Sequence, residues 1–237
     1  MRSQSIERHL IVAESSNSPG VLSIYRQIPL YRQKRNYTCG PSSVMMVMAA
    51  LDENFVPNPV SELEIWREAT TIHAGCGPIG IALALNRRGF AAHAMLSHAG
   101  TFIASRASTE AQKEAVRILQ DRDMKEAGEK GVDVAFGDYT INDLAAWMSQ
   151  GWHPIVLTGI EFEGTNVTHW GVVTGVTAHD LSLNDPLREP DAETDTTTVD
   201  HAAFLKISRF GPDEERAIVL AGSPSMASFP SPFKMKS

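Results

Sequence analysis

The chain has 237 residues, 43% hydrophobic and 21% charged, with a formal net charge of −7. That is enough apolar material for a packed core, and the sequence reads as an ordinary soluble globular protein. The acidic balance excludes nucleic acid and an anionic membrane as main partners, because phosphate binding needs clustered Lys and Arg and the only basic cluster, residues 31–35, is short.

Taken in chain order, residues 15–20 and 223–232 are rich in Ser, Pro and Gly and read as loose ends. The expected organisation is an N-terminal extension over 1–24, one domain over 25–222 and a flexible C-terminal tail over 223–237. The apolar piece 10–13 is far shorter than the ~7–15 residues of a signal-peptide core, and no run reaches the ~20 apolar residues of a membrane helix. A cytoplasmic location is expected, with no membrane contact, and with Cys39 and Cys76 as free thiols. Asn36-Tyr37-Thr38 and Asn166-Val167-Thr168 match the glycosylation pattern but carry no weight without secretion.

Directly after Cys39, the run from Ser42 to Leu51 is apolar nearly all round, the signature of a buried helix. Gly40-Pro41 stands at its entrance, where proline is tolerated because the first N–H groups have no intrahelical partner. Cys39 therefore falls at a helix N-terminus. Further helices are predicted over 60–70 and over 78–88, the latter ended by Gly89. A charged helix over 110–130 shows apolar Ala115, Ile118 and Leu119, and one over 140–150 shows Ile141, Leu144, Ala145 and Trp147 on one side. Strands are predicted over 153–158, 168–176, 180–184 and 217–220 from their β-branched content and the turn residues between them. Helices first and strands later define an α+β class, with the buried helix packed against an antiparallel sheet.

A thiol attacks as thiolate, and a helix N-terminus favours negative charge. Cys39 has that placement but lacks a local base. His169 opens the most strand-like segment, and Asp185 closes the next one. If the two strands form a hairpin through residues 176–179, His169 and Asp185 become neighbours, which supplies a base and its orienting carboxylate. The Cys39 backbone N–H is one oxyanion donor, and Gln33 is the candidate for the other.

These residues resemble the C39-like branch of the papain-fold cysteine peptidases. The resemblance rests on Gln33 followed by Cys39-Gly40-Pro41, on Thr168-His169-Trp170-Gly171-Val172-Val173, and on Asn184-Asp185-Pro186. It extends to Gly75-Cys76-Gly77-Pro78, Arg87-Arg88-Gly89-Phe90 and Ser208-Arg209-Phe210-Gly211. It implies a papain-like fold with Cys39 as nucleophile, His169 as base, Asp185 as orienter and Gln33 in the oxyanion hole. Trp170 and the Gly75-Cys76-Gly77 helix entrance are the expected substrate-binding positions.

Simpler readings compete with each part. A lone Cys at a helix start is more often a small buried residue, and Asp185-Pro186 alone is a common turn opener. The constellation carries the inference. Gly75-Cys76-Gly77-Pro78-Ile79-Gly80 matches GxGxxG, but the preceding residues make a poor strand and no acidic residue stands ~20 positions on. Cys76 is the rival nucleophile. His73, His93 and His98 with Cys76 match no common zinc spacing. The expected function is a cofactor-free, metal-free cysteine peptidase or amidase acting on a peptide or small amide or acyl substrate through a thioester. Two alternatives stand beside it: an acyltransferase or amide synthase using the same triad, and a non-catalytic peptide-binding domain.

Overall fold

A computed structural model describes residues 23–71, 75–162, 164–187 and 195–226. Strand β1 (Ile24–Tyr25) is followed by helices α1 (Cys39–Leu51), α2 (Pro59–Ala69) and α3 (Pro78–Asn86). Strand β2 (Ala91–Leu96) leads through a 3₁₀ turn at Ala104–Arg106 into α4 (Glu110–Lys130). Then come β3 (Val134–Phe136), α5 (Ile141–Ser149), β4 (His153–Phe162), β5 (Thr165–Val176), β6 (Asp180–Asn184), β7 (Thr197–Asp200), α6 (His201–Ile207) and β8 (Ala217–Gly222).

The strands form one sheet in the order β3-β2-β8-β4-β5-β6-β7, with β1 on the end of β5. Every pairing is antiparallel except β2 with β3. Successive side chains of a strand point to opposite faces, so the apolar runs of β4 and β8 feed two cores at once. Ile155, Leu157 and Val219 pack with α1 and α3, while Val156, Ile218 and Leu220 pack with Leu144 and Trp147 of α5 and Phe204 of α6. The sheet is thus covered on both faces, and α1, buried along Cys39 to Met48, lies in the deeper layer.

Local chemistry fixes the element ends. Asn58 caps α2 by accepting from the backbone N–H groups of Val60 and Ser61, and Thr109 with Gln112 forms a capping box on α4. The predicted helices and the four predicted strands form, with shifts of a few residues at their ends.

Three departures from the sequence reading have physical causes. β2 interrupts the helices-then-strands order: its alanines and methionine carry little strand propensity, and pairing with β8 on one side and β3 on the other makes it a strand. The buried side of α4 is Val116, Asp123 and Ala127, and Ile118 is 53% exposed, because helix charge obscures a stripe that itself contains a carboxylate. Residues 223–226, read as loose, turn back so that Met226 packs on the core beside Trp152. The extension over 1–22, the rest of the tail and His73 lie outside the described residues. Among the described residues no helix is long and apolar enough to cross a membrane, and no cluster of three potential ligands forms a metal site.

Candidate active site

The site begins with a buried carboxylate. Glu62 of α2 is sealed from solvent and accepts hydrogen bonds from the Lys34 backbone N–H at 2.9 Å, the Tyr31 hydroxyl at 3.0 Å and the Thr38 hydroxyl. Burial, then Glu62, push the Tyr31 hydroxyl up to about 12. This carboxylate holds the loop that delivers the chain into α1. The Thr38 hydroxyl lies within reach of both Glu62 and the Arg35 carbonyl, its single hydrogen serving one at a time, and its side chain does not cap the helix. The first N–H groups of α1 stay available for charge at Cys39.

The second half comes from the β5–β6 hairpin. Val172 pairs with Asn184 and Val173 with Leu183, and a bulge lies between Val173 and Gly175. That register sets the start of β5 beside the end of β6, and His169 Nε2 lies 2.7 Å from Asp185 Oδ1. Asp185 also accepts from the Leu187 backbone N–H at 2.8 Å, which fixes the carboxylate. With Nε2 committed to Asp185, Nδ1 is the ring nitrogen left for the Cys39 thiol.

Burial alone would push the Cys39 thiol up. The hydrogen bond and positive charge of His169, then the backbone N–H groups of Trp170 and Gly40, outweigh it and bring the thiol below its ordinary value. His169 runs the other way: burial would lower it, but hydrogen bonds to Asp185 and Cys39 raise it to about 10. The two directions together favour a thiolate–imidazolium pair. Cys76 is the contrast, since burial and then the negative charge of Cys39 push its thiol well up. The electrostatics separate the two cysteines.

The sequence-expected residues occupy distinct positions. Cys39, His169, Trp170, Gly75 and Cys76 line one cleft, together with Asn36, Tyr37, Thr168 and Arg106, none of which the sequence marks as a catalytic or substrate-binding position. Gly77 lines the adjoining cleft. Trp170 is only 1% exposed and acts as the cleft's back wall: its indole N–H donates to the Cys76 carbonyl at 3.1 Å, and its own carbonyl accepts from the Ser43 hydroxyl at 3.2 Å. Gln33 is tied to the Asp185 segment through its backbone N–H, which donates to the Pro186 carbonyl at 3.0 Å. Its side-chain amide donates one hydrogen to the Arg35 carbonyl at 2.7 Å, leaving one for any other partner.

A thiol at the first turn of a buried helix, facing an imidazole and carboxylate carried by an antiparallel sheet, is the arrangement of a papain-like fold. The Peptidase_C39 like family model matches residues 28–222, and the chain belongs to that family. No curated protein matches the chain. Among solved structures it is similar to the peptidase domain of Streptococcus ComA, a bi-functional ABC transporter involved in a quorum-sensing pathway, at 17% identity over 83% of this chain and 100% of that one, with a TM-score of 0.41. It is also similar to the peptidase domain of Streptococcus mutans ComA, at 15% identity over 81% of this chain and 97% of that one, with a TM-score of 0.35.

Proposed function

We propose that the protein is a cysteine-dependent peptidase or amidase that works through a thioester on Cys39. The observation that carries this reading is the contact of His169 Nε2 with Asp185 Oδ1 at 2.7 Å, together with a thiol lowered at Cys39 and raised at Cys76.

In this reading the Cys39 thiolate adds to the carbonyl carbon of the substrate amide, and the carbonyl electrons move to oxygen. The Cys39 backbone N–H and the remaining amide hydrogen of Gln33 receive that oxyanion. His169 passes its Nδ1 proton to the leaving nitrogen as the C–N bond breaks, which gives the free amine and a thioester. Neutral His169 then takes a proton from water as it attacks the thioester, and the acid leaves with thiolate and imidazolium restored. Asp185 keeps the ring in position and stabilises its charge through both steps. An amine in place of that water turns the same steps into acyl transfer.

Intact-mass detection of an acyl adduct, with peptide mapping of its site, tests the reading. Activated amides and thioesters give an adduct on Cys39 that decays in water and is absent in Cys39→Ala. An adduct confined to Cys76, or none from any substrate while Cys39 stays inert to iodoacetamide, sinks it in favour of a peptide-binding domain.

A further inference from the structure

Arg106 closes the 3₁₀ turn at Ala104–Arg106 and stands in the wall shared by two clefts. One holds Cys39 and His169; the other is largely apolar, with Pro78, Ile79, Phe102 and Val116 in its lining. Among the described residues the guanidinium has one side-chain hydrogen-bond partner, the Thr168 hydroxyl, next to His169. Among the described residues no carboxylate lies within ion-pair distance of it, whereas Arg87, Arg88 and Arg216 each have one. The carboxylate that does line the neighbouring cleft, Asp123, is held by Arg122 at 2.7 Å.

Burial weakens this cation, the negative charge of Cys39 in the same cleft offsets that only in part, and three features of the fold place it there. Ile103, a β-branched residue, is held at φ 60 in the left-handed region, an unfavourable conformation for its side chain. The nearly sealed Glu215 imposes it, accepting from the Ile103 backbone N–H at 2.6 Å while its carboxylate also meets His98 Nε2 at 3.2 Å. Opposite, Gly75 leaves room: a Cβ there would lie 2.7 Å from Arg106 Nη1. Backbone strain, a buried acid and a missing side chain all serve to aim one guanidinium at the thiol cleft.

We infer that Arg106 is an anchor for a substrate carboxylate, and that the acyl substrate of Cys39 is therefore anionic close to the bond attacked. A guanidinium with open donors matches a carboxylate in shape and charge, and a water-poor cleft strengthens the pairing. This inference rests on Cys39 being the reactive thiol and extends that reading to the substrate class.

The test compares alkylation of Cys39 by 3-maleimidopropionate and 6-maleimidohexanoate with alkylation by their carboxamides, site by site by mass spectrometry. The wild-type protein favours at least one acid over its amide by about tenfold, the size of one charge-assisted hydrogen bond, and added salt reduces the preference. Arg106→Gln brings the acid-to-amide ratio close to one, while Arg106→Lys, which keeps the charge, retains part of it. Three peptides then locate the carboxylate by slowing iodoacetamide labelling of Cys39: N-acetyl-triglycine offers it at the C-terminus, N-acetyl-Gly-Glu-Gly amide offers it on a side chain, and N-acetyl-triglycine amide lacks it. Slowing by an acidic peptide but not by the neutral one, lost in Arg106→Gln, supports the anchor. A reactive Cys39 with no wild-type preference for acids, or with a preference that survives Arg106→Gln, or slowed equally or not at all by the three peptides, overturns the anchor alone. A Cys39 inert to every reagent while Cys76 reacts overturns the thiol reading and the anchor with it.

Discussion

His169 Nε2 and Asp185 Oδ1 meet at 2.7 Å across the β5–β6 hairpin, sixteen residues apart in the chain. Replacing Asp185 with Ala removes a hydrogen bond that raises His169, so the imidazolium weakens and the thiol it sustains moves back up. In the wild-type protein the thiolate is lost as pH falls through the lowered Cys39 value, and the imidazolium is lost as pH rises through about 10. Iodoacetamide labelling of Cys39 therefore persists to lower pH than that of an ordinary thiol. In Asp185→Ala its midpoint shifts upward, toward that of an ordinary thiol. Any amide cleavage, which needs the His169 proton, declines above pH about 10, whereas labelling does not.

Glu62 predicts a structural effect that reaches the thiol. Glu62→Ala strips three donors of a sealed acceptor, from Tyr31, Lys34 and Thr38. Urea unfolding should show a loss of roughly 3 kcal/mol, in the range of hydrogen bonds to a charged group and the cost of leaving donors unpaired. Because the same loop delivers Cys39, labelling becomes less selective between Cys39 and Cys76. A variant as stable and as selective as the wild type contradicts the role given to this carboxylate.

Two glycines should respond in opposite directions. A Cβ on Gly40 would lie 3.1 Å from Cys76 Cβ, 3.2 Å from Ile81 Cδ1 and 3.4 Å from Trp170 Cδ1, all in packed surroundings. Gly40→Ala is expected to cost about 1–3 kcal/mol and to slow Cys39 labelling. A Cβ on Gly128, inside α4, would meet nothing within 4 Å. Gly128→Ala should raise stability by about 0.5–1 kcal/mol, read from the denaturation midpoint.

His153 sets an acid limit on stability. Burial, then the nearby charge of Arg26, lower its pKa to about 4, so the folded state keeps the ring neutral where the unfolded chain protonates it. The unfolded state binds the extra proton between about pH 6.5 and 4, and stability falls as pH falls through that window. At about 1.4 kcal/mol per pKa unit, the loss from this residue approaches roughly 3 kcal/mol. Denaturation midpoints at pH 7 and pH 4.5 should converge in His153→Gln relative to the wild type, and an unchanged pH dependence rules this source out.

What the sequence disclosed about this site was what local pattern encodes. The apolar run behind Cys39 marks a buried helix start, and two strands with a turn between them bring His169 toward Asp185 in any hairpin register close to the one observed. What stayed hidden depends on distant packing. Glu62 looks like one more glutamate on a surface helix until the 31–38 loop closes over it. Arg106 lies in a stretch with no helical or strand period, and only Glu215, far along the chain, shapes the turn that carries it. The alanine-rich β2 carries a strand signal too weak to be read without its neighbours. The spacing of Gln33 from Cys39 does not reveal that the Arg35 carbonyl already takes one of its two amide hydrogens.

The bond from the Ser43 hydroxyl to the Trp170 carbonyl joins residues 127 apart, and the indole of Trp170 reaches back to the Cys76 carbonyl across 94 residues. During translation, then, Cys39 emerges well before His169, and on the proposed reading the thiol stands without its imidazole until these long-range contacts close. A nascent or partly unfolded chain carries a cysteine of ordinary reactivity. On the proposed reading, chemical competence arrives together with the finished core.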